Sequence, residues 1–349
     1  MRKRSPSLLQ VMAEYFGTYL TSIKGVSQNT ITSYQYTFRL LFEFMQEKLG
    51  IEPEKVTFES LANGNVIQYL NWLEKDRGCS VQTRNQRRAA IASFAKYTAK
   101  KALTQSLDFV SDVADIPMKK TPKTQNIRYF TKDEITILLK LPDTTLECGR
   151  RDAVLMSVLY CSGARAQEIC DLTVNDISFG STTTIRLVGK GRKARVIVIP
   201  EKCAHLLDGY LKSKNLGTNV AESRFKHVFS SQTHEKMTIS CVEAIVKKYV
   251  RQAKEYHPLL FKRSRYSPHS FRHSIAVHML ECGESLAVIR AFLGHSSISS
   301  TILYTNVTPE LANKYLKERS ENLNVPEITD ADKESLLALP FLIKNKAPK

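Results

Sequence analysis

His269, Arg272, His295 and Tyr304, two imidazoles, a guanidinium and a phenol set in recognisable local contexts, fall within one short stretch of the 349-residue chain, from Ser267 to Tyr304. His269 and Arg272 lie in Ser-Pro-His-Ser-Phe-Arg-His, His295 ends Leu-Gly-His, and Tyr304 sits in Ser-Thr-Ile-Leu-Tyr-Thr. Ser267 can cap a helix whose first position is Pro268, which sets His269 in the first turn and Arg272 about one turn further on. A helix N-terminus has unpaired N–H groups and partial positive charge, so a His and an Arg added there suit a phosphate. A nucleic-acid phosphodiester is the obvious anion.

The elements that must position these groups begin upstream. Cys161-Ser-Gly163-Ala-Arg165-Ala-Gln-Glu168-Ile reads as the end of an apolar helix, a glycine break, and a new helix opening on an arginine. Thr182 to Val188 and Ala194 to Ile199 alternate as β-strands, joined by Gly189-Lys190-Gly191-Arg192-Lys193, a turn that holds Lys190 out on a hairpin tip.

In this order and these contexts Arg165, Glu168, Lys190, His269, Arg272, His295 and Tyr304 resemble the active-site set of the tyrosine recombinase (phage integrase) family. Each motif alone is common, and the joint occurrence carries the resemblance. It spans about residues 1 to 320, since the helical N-terminal half resembles that family's core-binding domain. The resemblance implies a mostly α fold with a small antiparallel β-sheet. A helical SAM-like core-binding domain and a mixed α/β catalytic domain would close as a C-shaped clamp around DNA.

It also implies a division of labour. Arg165 and Arg272 would grip the scissile phosphate, where planar bidentate donors suit the growing charge better than lysine. Tyr304 would be the nucleophile, and with an ordinary pKa of about 10 it needs cations or a base to favour ionisation. Lys190 would protonate the departing 5′ oxygen; Lys193 is the alternative acid, and the family pattern favours Lys190. His269 is the candidate base or proton shuttle, His295 would hydrogen-bond a phosphate oxygen, and Glu168 would orient the cations. His273 and His278, on the same helix as His269, read as packing or hydrogen-bonding residues. Bond energy kept in a 3′-phosphotyrosyl ester makes strand exchange independent of ATP, metal and any cofactor. His269 and His273 could face one metal, but no third ligand motif accompanies them.

Composition agrees with such a partner. The net charge of +17, from 51 Lys and Arg against 34 Asp and Glu, is spread along the chain and fits an extended polyanion. Seven scattered cysteines without a Cys-x-x-Cys pair indicate neither a zinc site nor a disulfide framework. No apolar signal core or bilayer-length run appears, so a cytoplasmic, nucleoid-associated protein with no membrane partner is expected.

Ser27 can cap a helix from about Gln28 to Lys48, closed by Gly50, with Ile31, Tyr34, Phe38, Leu41, Phe42, Met45 and Leu49 as one apolar stripe. Further helices are expected around Ser7 to Leu20, Val66 to Asp76 and Val81 to Ala99. The first turns of the last carry Thr83, Arg84, Gln86, Arg87 and Arg88, candidate DNA ligands, as are Arg192 and Lys193 beside the hairpin tip; a solvated helix start is the plain alternative. Arg195 reads as another phosphate-contacting or solvated charge.

The first domain should span residues 1–116. A proline-marked basic linker follows over 117–128, then a catalytic domain over 129–320 that opens on the capping box Thr131 to Glu134. Residues 214–235 read as a polar loop and Pro309 to Glu318 as a helix. The apolar cluster Leu336 to Ile343 in the tail, 321–349, must be buried; packing on its own domain is the plain alternative, while the family resemblance implies docking on a neighbouring subunit, giving a homo-tetramer on paired DNA sites, with accessory proteins as further candidate partners.

The function expected is site-specific cutting and rejoining of DNA for integration or excision of a mobile element. A chromosome-dimer resolvase, a type IB topoisomerase with the same chemistry, and a catalytically silent DNA-binding regulator are the alternatives.

Overall fold

The computed structural model describes residues 6–306 apart from 122–126, 190, 192, 218–220, 232, 264, 296 and 298. Lys190, Arg192, the helix expected after Pro309 and the C-terminal tail therefore lie outside the described residues. The chain forms two compact units, Met1–Thr124 and Gln125–Lys349.

The first unit is helical. α1 (Leu8–Glu14) runs into a π-helical segment, Tyr15–Ile23, and is followed by α2 (Gln28–Leu49), α3 (Phe58–Leu61), α4 (Asn65–Lys75), α5 (Val81–Lys101) and α6 (Leu103–Asp115). α2 has the expected ends: the Ser27 side chain accepts from Thr30 N–H, and Gly50 closes the helix in the left-handed region at φ 66°. Phe94 of α5 is fully buried, with Tyr15, Phe38 and Phe109 ring centroids 5.1, 5.1 and 6.1 Å away. One aromatic side chain thus ties three other segments into a single core.

The second unit opens with α7 (Lys132–Lys140), where Thr131 and Glu134 form the reciprocal capping box. α8 (Glu147–Ser162) buries most of its side chains from Ala153 to Leu159 and packs against two later helices, as an apolar helix at the centre of a domain must. After α9 (Ala166–Asp171) come β1 (Ile177–Ser178), β2 (Thr184–Val188) and β3 (Ala194–Val198), an antiparallel sheet in the order β1-β2-β3. Ile185 pairs with both Ile177 and Ile197, and these three with Leu187 form the face buried in the core. α10 (Glu201–Ser213), α11 (Ile239–Tyr256), α12 (Pro268–Glu281), α13 (Leu286–Leu293), α14 (Ser299–Ile302) and a 3₁₀ turn (Leu303–Asn306) follow.

The described part of 214–235 holds one 3₁₀ turn, Ala221–Ser223, and an isolated bridge between Thr173 and His227. Among the described residues, no helix is long and apolar enough to cross a membrane.

Candidate active site

α8 ends at Gly163, whose left-handed φ of +57° no β-carbon would accept easily; an added Cβ would also lie 2.8 Å from Leu293 Cδ2. This tight stop aims the Gly163 carbonyl at Arg272. Arg272 Nη1 donates to Gly163 O at 2.7 Å and Nη2 to Leu293 O at 2.6 Å, so one guanidinium joins the ends of α8 and α13. Its residue is fully buried, and Nε has no hydrogen-bond partner. Burial, then Arg165 and Arg195, lowers the Arg272 pKa to about 10, which still leaves it protonated at neutral pH. A buried cation with donors to spare is suited to an anion.

Arg165 is the N-cap residue of α9. Its backbone N–H donates to Glu168 Oε2 at 2.9 Å and its Nη1 to Glu168 Oε1 at 2.8 Å. Glu168 is buried at 3% exposure and holds a second guanidinium: Arg195 of β3 donates to both carboxylate oxygens, at 3.0 and 2.8 Å. Burial raises the Glu168 pKa, but the bonds from Arg195 and Arg165 outweigh it and hold the carboxyl below its usual range. Arg195, read from the sequence as a phosphate-contacting or solvated charge, is half-buried with its guanidinium on the carboxylate that orients Arg165. Gly189 closes the arrangement from the hairpin, since a Cβ there would stand 3.0 Å from Glu168 Oε1.

Ser267 and Pro268 begin α12 as expected, Pro268 at its first turn and Ser267 N–H donating to Ser270 Oγ. Tyr304 comes back onto this helix and is almost fully buried, at 1% exposure. Its Oη lies 3.1 Å from Nδ1 of His273, not of His269. Burial pushes the Tyr304 pKa up to about 12, with Arg272 and Arg165 pulling the other way. His269 sits exposed at the rim with its ring perpendicular to that of His273, centroids 4.5 Å apart. Crowding by neighbouring atoms, with Arg272 and Arg165, lowers its pKa. His295 follows the left-handed Gly294, bonds Thr301 Oγ1 through Nδ1 at 3.0 Å and lies parallel to the Tyr304 ring. Burial and then Arg272 lower its pKa to about 4.

The structure thus brings Arg165, Glu168, His269, Arg272, His295 and Tyr304 together and adds His273 and Arg195. His269 and His273, four apart, share one helix face, and that spacing was the available signal for His273. A strand arginine close after a glycine turn carries no comparable signal for pairing with a carboxylate, so the contact of Arg195 with Glu168 was not legible.

The charged start of α5 is placed differently from expectation. Arg84 is 2% exposed and donates to Pro117 O, Arg87 donates to Ser33 O and Thr37 Oγ1, and Arg88 donates to Ile116 O and Val113 O. These guanidiniums satisfy carbonyls of their own unit. Gln86 is exposed with its amide on Ser33 Oγ, and Thr83 lies beside the Ser80 cap. Lys193 is exposed next to β3.

Residues 128–310 match the phage integrase family, and residues 12–105 match the N-terminal SAM-like domain of phage integrases. The integrase/recombinase y4rC of Sinorhizobium fredii is 31% identical over 302 residues, 86% of this chain and 88% of that protein. Tyrosine recombinase XerC of Pelotomaculum thermopropionicum is 26% identical over 313 residues, 89% and 98% of the two chains. Among solved structures, the XerH site-specific recombinase bound to palindromic difH substrate superposes with a TM-score of 0.64 at 18% identity, covering 84% of this chain and 80% of that one. The Tn1549 transposon integrase in complex with transposon right-end DNA gives 0.60 at 18%, covering 84% and 93%. The chain belongs to the phage integrase family, the tyrosine site-specific recombinases.

Proposed function

We propose that the protein cuts and rejoins duplex DNA at specific sites through a 3′-phosphotyrosyl intermediate. The observation that carries this reading is a phenol held within one cluster with two guanidiniums, those of Arg272 and Arg165, and three imidazoles. Arg165 and Arg272 hold the non-bridging oxygens and offset the charge that grows as Tyr304 attacks. Two of the five N–H groups of Arg272 are taken by carbonyls, which leaves three for phosphate. His295 reaches a phosphate oxygen, His269 shuttles a proton at the rim, and Lys190 protonates the 5′ oxygen as it leaves.

Duplex binding has further support in a groove of about 770 Å³ on the outer face of α11, beside the start of α12. It is lined by Lys247, Lys248, Arg251, Lys254 and Arg265 with one carboxylate, Glu243. Exposure of Gln86 on α5 supports it as a DNA contact, with its amide resting on Ser33 Oγ in the free protein. A mobile element or a chromosomal resolution site is the context to be decided, since the relatives include both an integrase/recombinase and XerC.

The test is trapping. Nicked, labelled duplexes carrying the element's end sequences are incubated with protein and denatured. Label should remain covalently attached to the wild type and be absent from Tyr304→Phe. Duplex that is bound without any adduct would instead favour a DNA-binding regulator, and supercoil relaxation without strand exchange would favour a topoisomerase.

A further inference from the structure

We propose that His273 is a catalytic residue: its Nδ1 takes the phenol proton of Tyr304 as Oη attacks phosphorus and holds it until the strand is rejoined. The inference rests on the recombinase reading and deepens it.

Geometry carries the argument. Nδ1 of His273 is the ring nitrogen on Oη, at 3.1 Å, and the two rings meet edge to face with centroids 5.6 Å apart. His269, the helix residue one turn earlier, contacts the His273 ring rather than the phenol. The imidazole that meets the phenol proton is therefore that of His273, not that of His269 at the rim. A phenol is donor and acceptor, whereas a neutral imidazole offers one lone pair. Burial, then His269, Arg272 and His295, lowers the His273 pKa to about 3, so its ring is neutral in the free protein and can accept. A phosphate monoanion arriving at Arg272 and Arg165 would offset that positive field and raise the proton affinity of His273 when the proton must move.

The step balances without a co-reactant. The Oη–H bond breaks, with its proton going to Nδ1; Oη bonds to phosphorus; the bond from phosphorus to the 5′ oxygen breaks, and that oxygen is protonated by the general acid. Rejoining runs in reverse, and the imidazolium returns its proton to Oη.

The discriminating variant is His273→Asn. Asn Oδ1 falls near the position of Nδ1 and can accept the phenol hydrogen bond, but it does not take up the proton. With cognate duplex still bound and the fold checked by circular dichroism, single-turnover adduct formation should fall by roughly 10²- to 10⁴-fold. His273→Ala should fall as far and recover in part on adding imidazole, which a purely structural role would not produce. Adduct formation by His273→Asn within about threefold of wild type would overturn the assignment. If neither variant folds, ¹⁵N NMR of histidine-labelled wild type decides: a bare Nδ1 on His273 supports the proposal, and a protonated Nδ1 overturns it, because the phenol would then be the acceptor. Wild type that binds duplex and forms no Tyr304-dependent adduct would instead remove the recombinase reading itself.

Discussion

At the scale of residues, the site stores its histidines neutral, and this makes the fold sensitive to acid. The pKa values of His273 and His295 stand near 3 and 4, against an ordinary 6.5 that the unfolded chain would recover. Below about pH 6.5 the unfolded state takes protons that the folded state does not, so this stability is present above that pH and is lost as pH falls toward 4 and 3. Glu168, held below its ordinary 4.5, adds a second loss in the same direction at lower pH. Calorimetry of the full chain should therefore show the catalytic unit melting at lower temperature at pH 5 than at pH 7, with His295→Asn showing a smaller drop. A melting temperature that ignores pH over this range would contradict neutral burial of the two rings. The order of Arg, Lys, His, Arg, His and Tyr along the chain was enough to name the family. The bond from Tyr304 to His273 was not legible, because it depends on how the turn after α14 folds back onto α12. The inward placement of Arg84, Arg87 and Arg88 was hidden in the same way: the carbonyls they satisfy come from α2 and from the end of the unit.

Elements end where the site needs atoms. Gly163 and Gly50 both close helices in the left-handed region, but a Cβ at Gly50 would meet nothing within 4 Å, while one at Gly163 would press on Leu293, Ile275 and Phe292. Gly50→Ala should cost about 1 kcal/mol of backbone strain, and Gly163→Ala roughly 2–4 kcal/mol, since overpacking adds to it. Urea unfolding measures the difference. Gly163→Ala should also depress adduct formation well beyond any change in DNA affinity, because the carbonyl that steadies Arg272 would shift. Equal costs at the two glycines would show that the end of α8 has room to spare. Long elements with capping residues were legible to within a few positions: α2 with Ser27 and Gly50, α7 with its capping box, and the β2–β3 hairpin with its alternation. The helix expected around Ser7 to Leu20 is there, but its wider π-helical winding over Tyr15–Ile23 was not legible, since no apolar pattern marks a change of hydrogen-bond register; nor was β1, whose two residues are too few to show alternation.

At the scale of the molecule, the two units keep separate hydrophobic cores, one reaching from Leu8 to Ile116 and the other beginning at Phe130. Residues 1–124 expressed alone should therefore retain helical circular dichroism and a cooperative melt; a fragment without either would show that the first core needs the second unit. The basic charge that pointed to a polyanion is legible in composition, but composition does not say where it concentrates, and the cations on the outer face of α11 emerge only once its apolar face is committed to the core. Near-complete burial of Tyr304 has a consequence for a protein that must travel along far more DNA than it ever cuts. On the proposed reading a sheathed phenol is kept from the phosphates it passes, and attack is reserved for a duplex whose binding brings phosphorus to Oη. The same sheath should leave Tyr304 untouched by tyrosine-nitrating reagents until cognate ends are added.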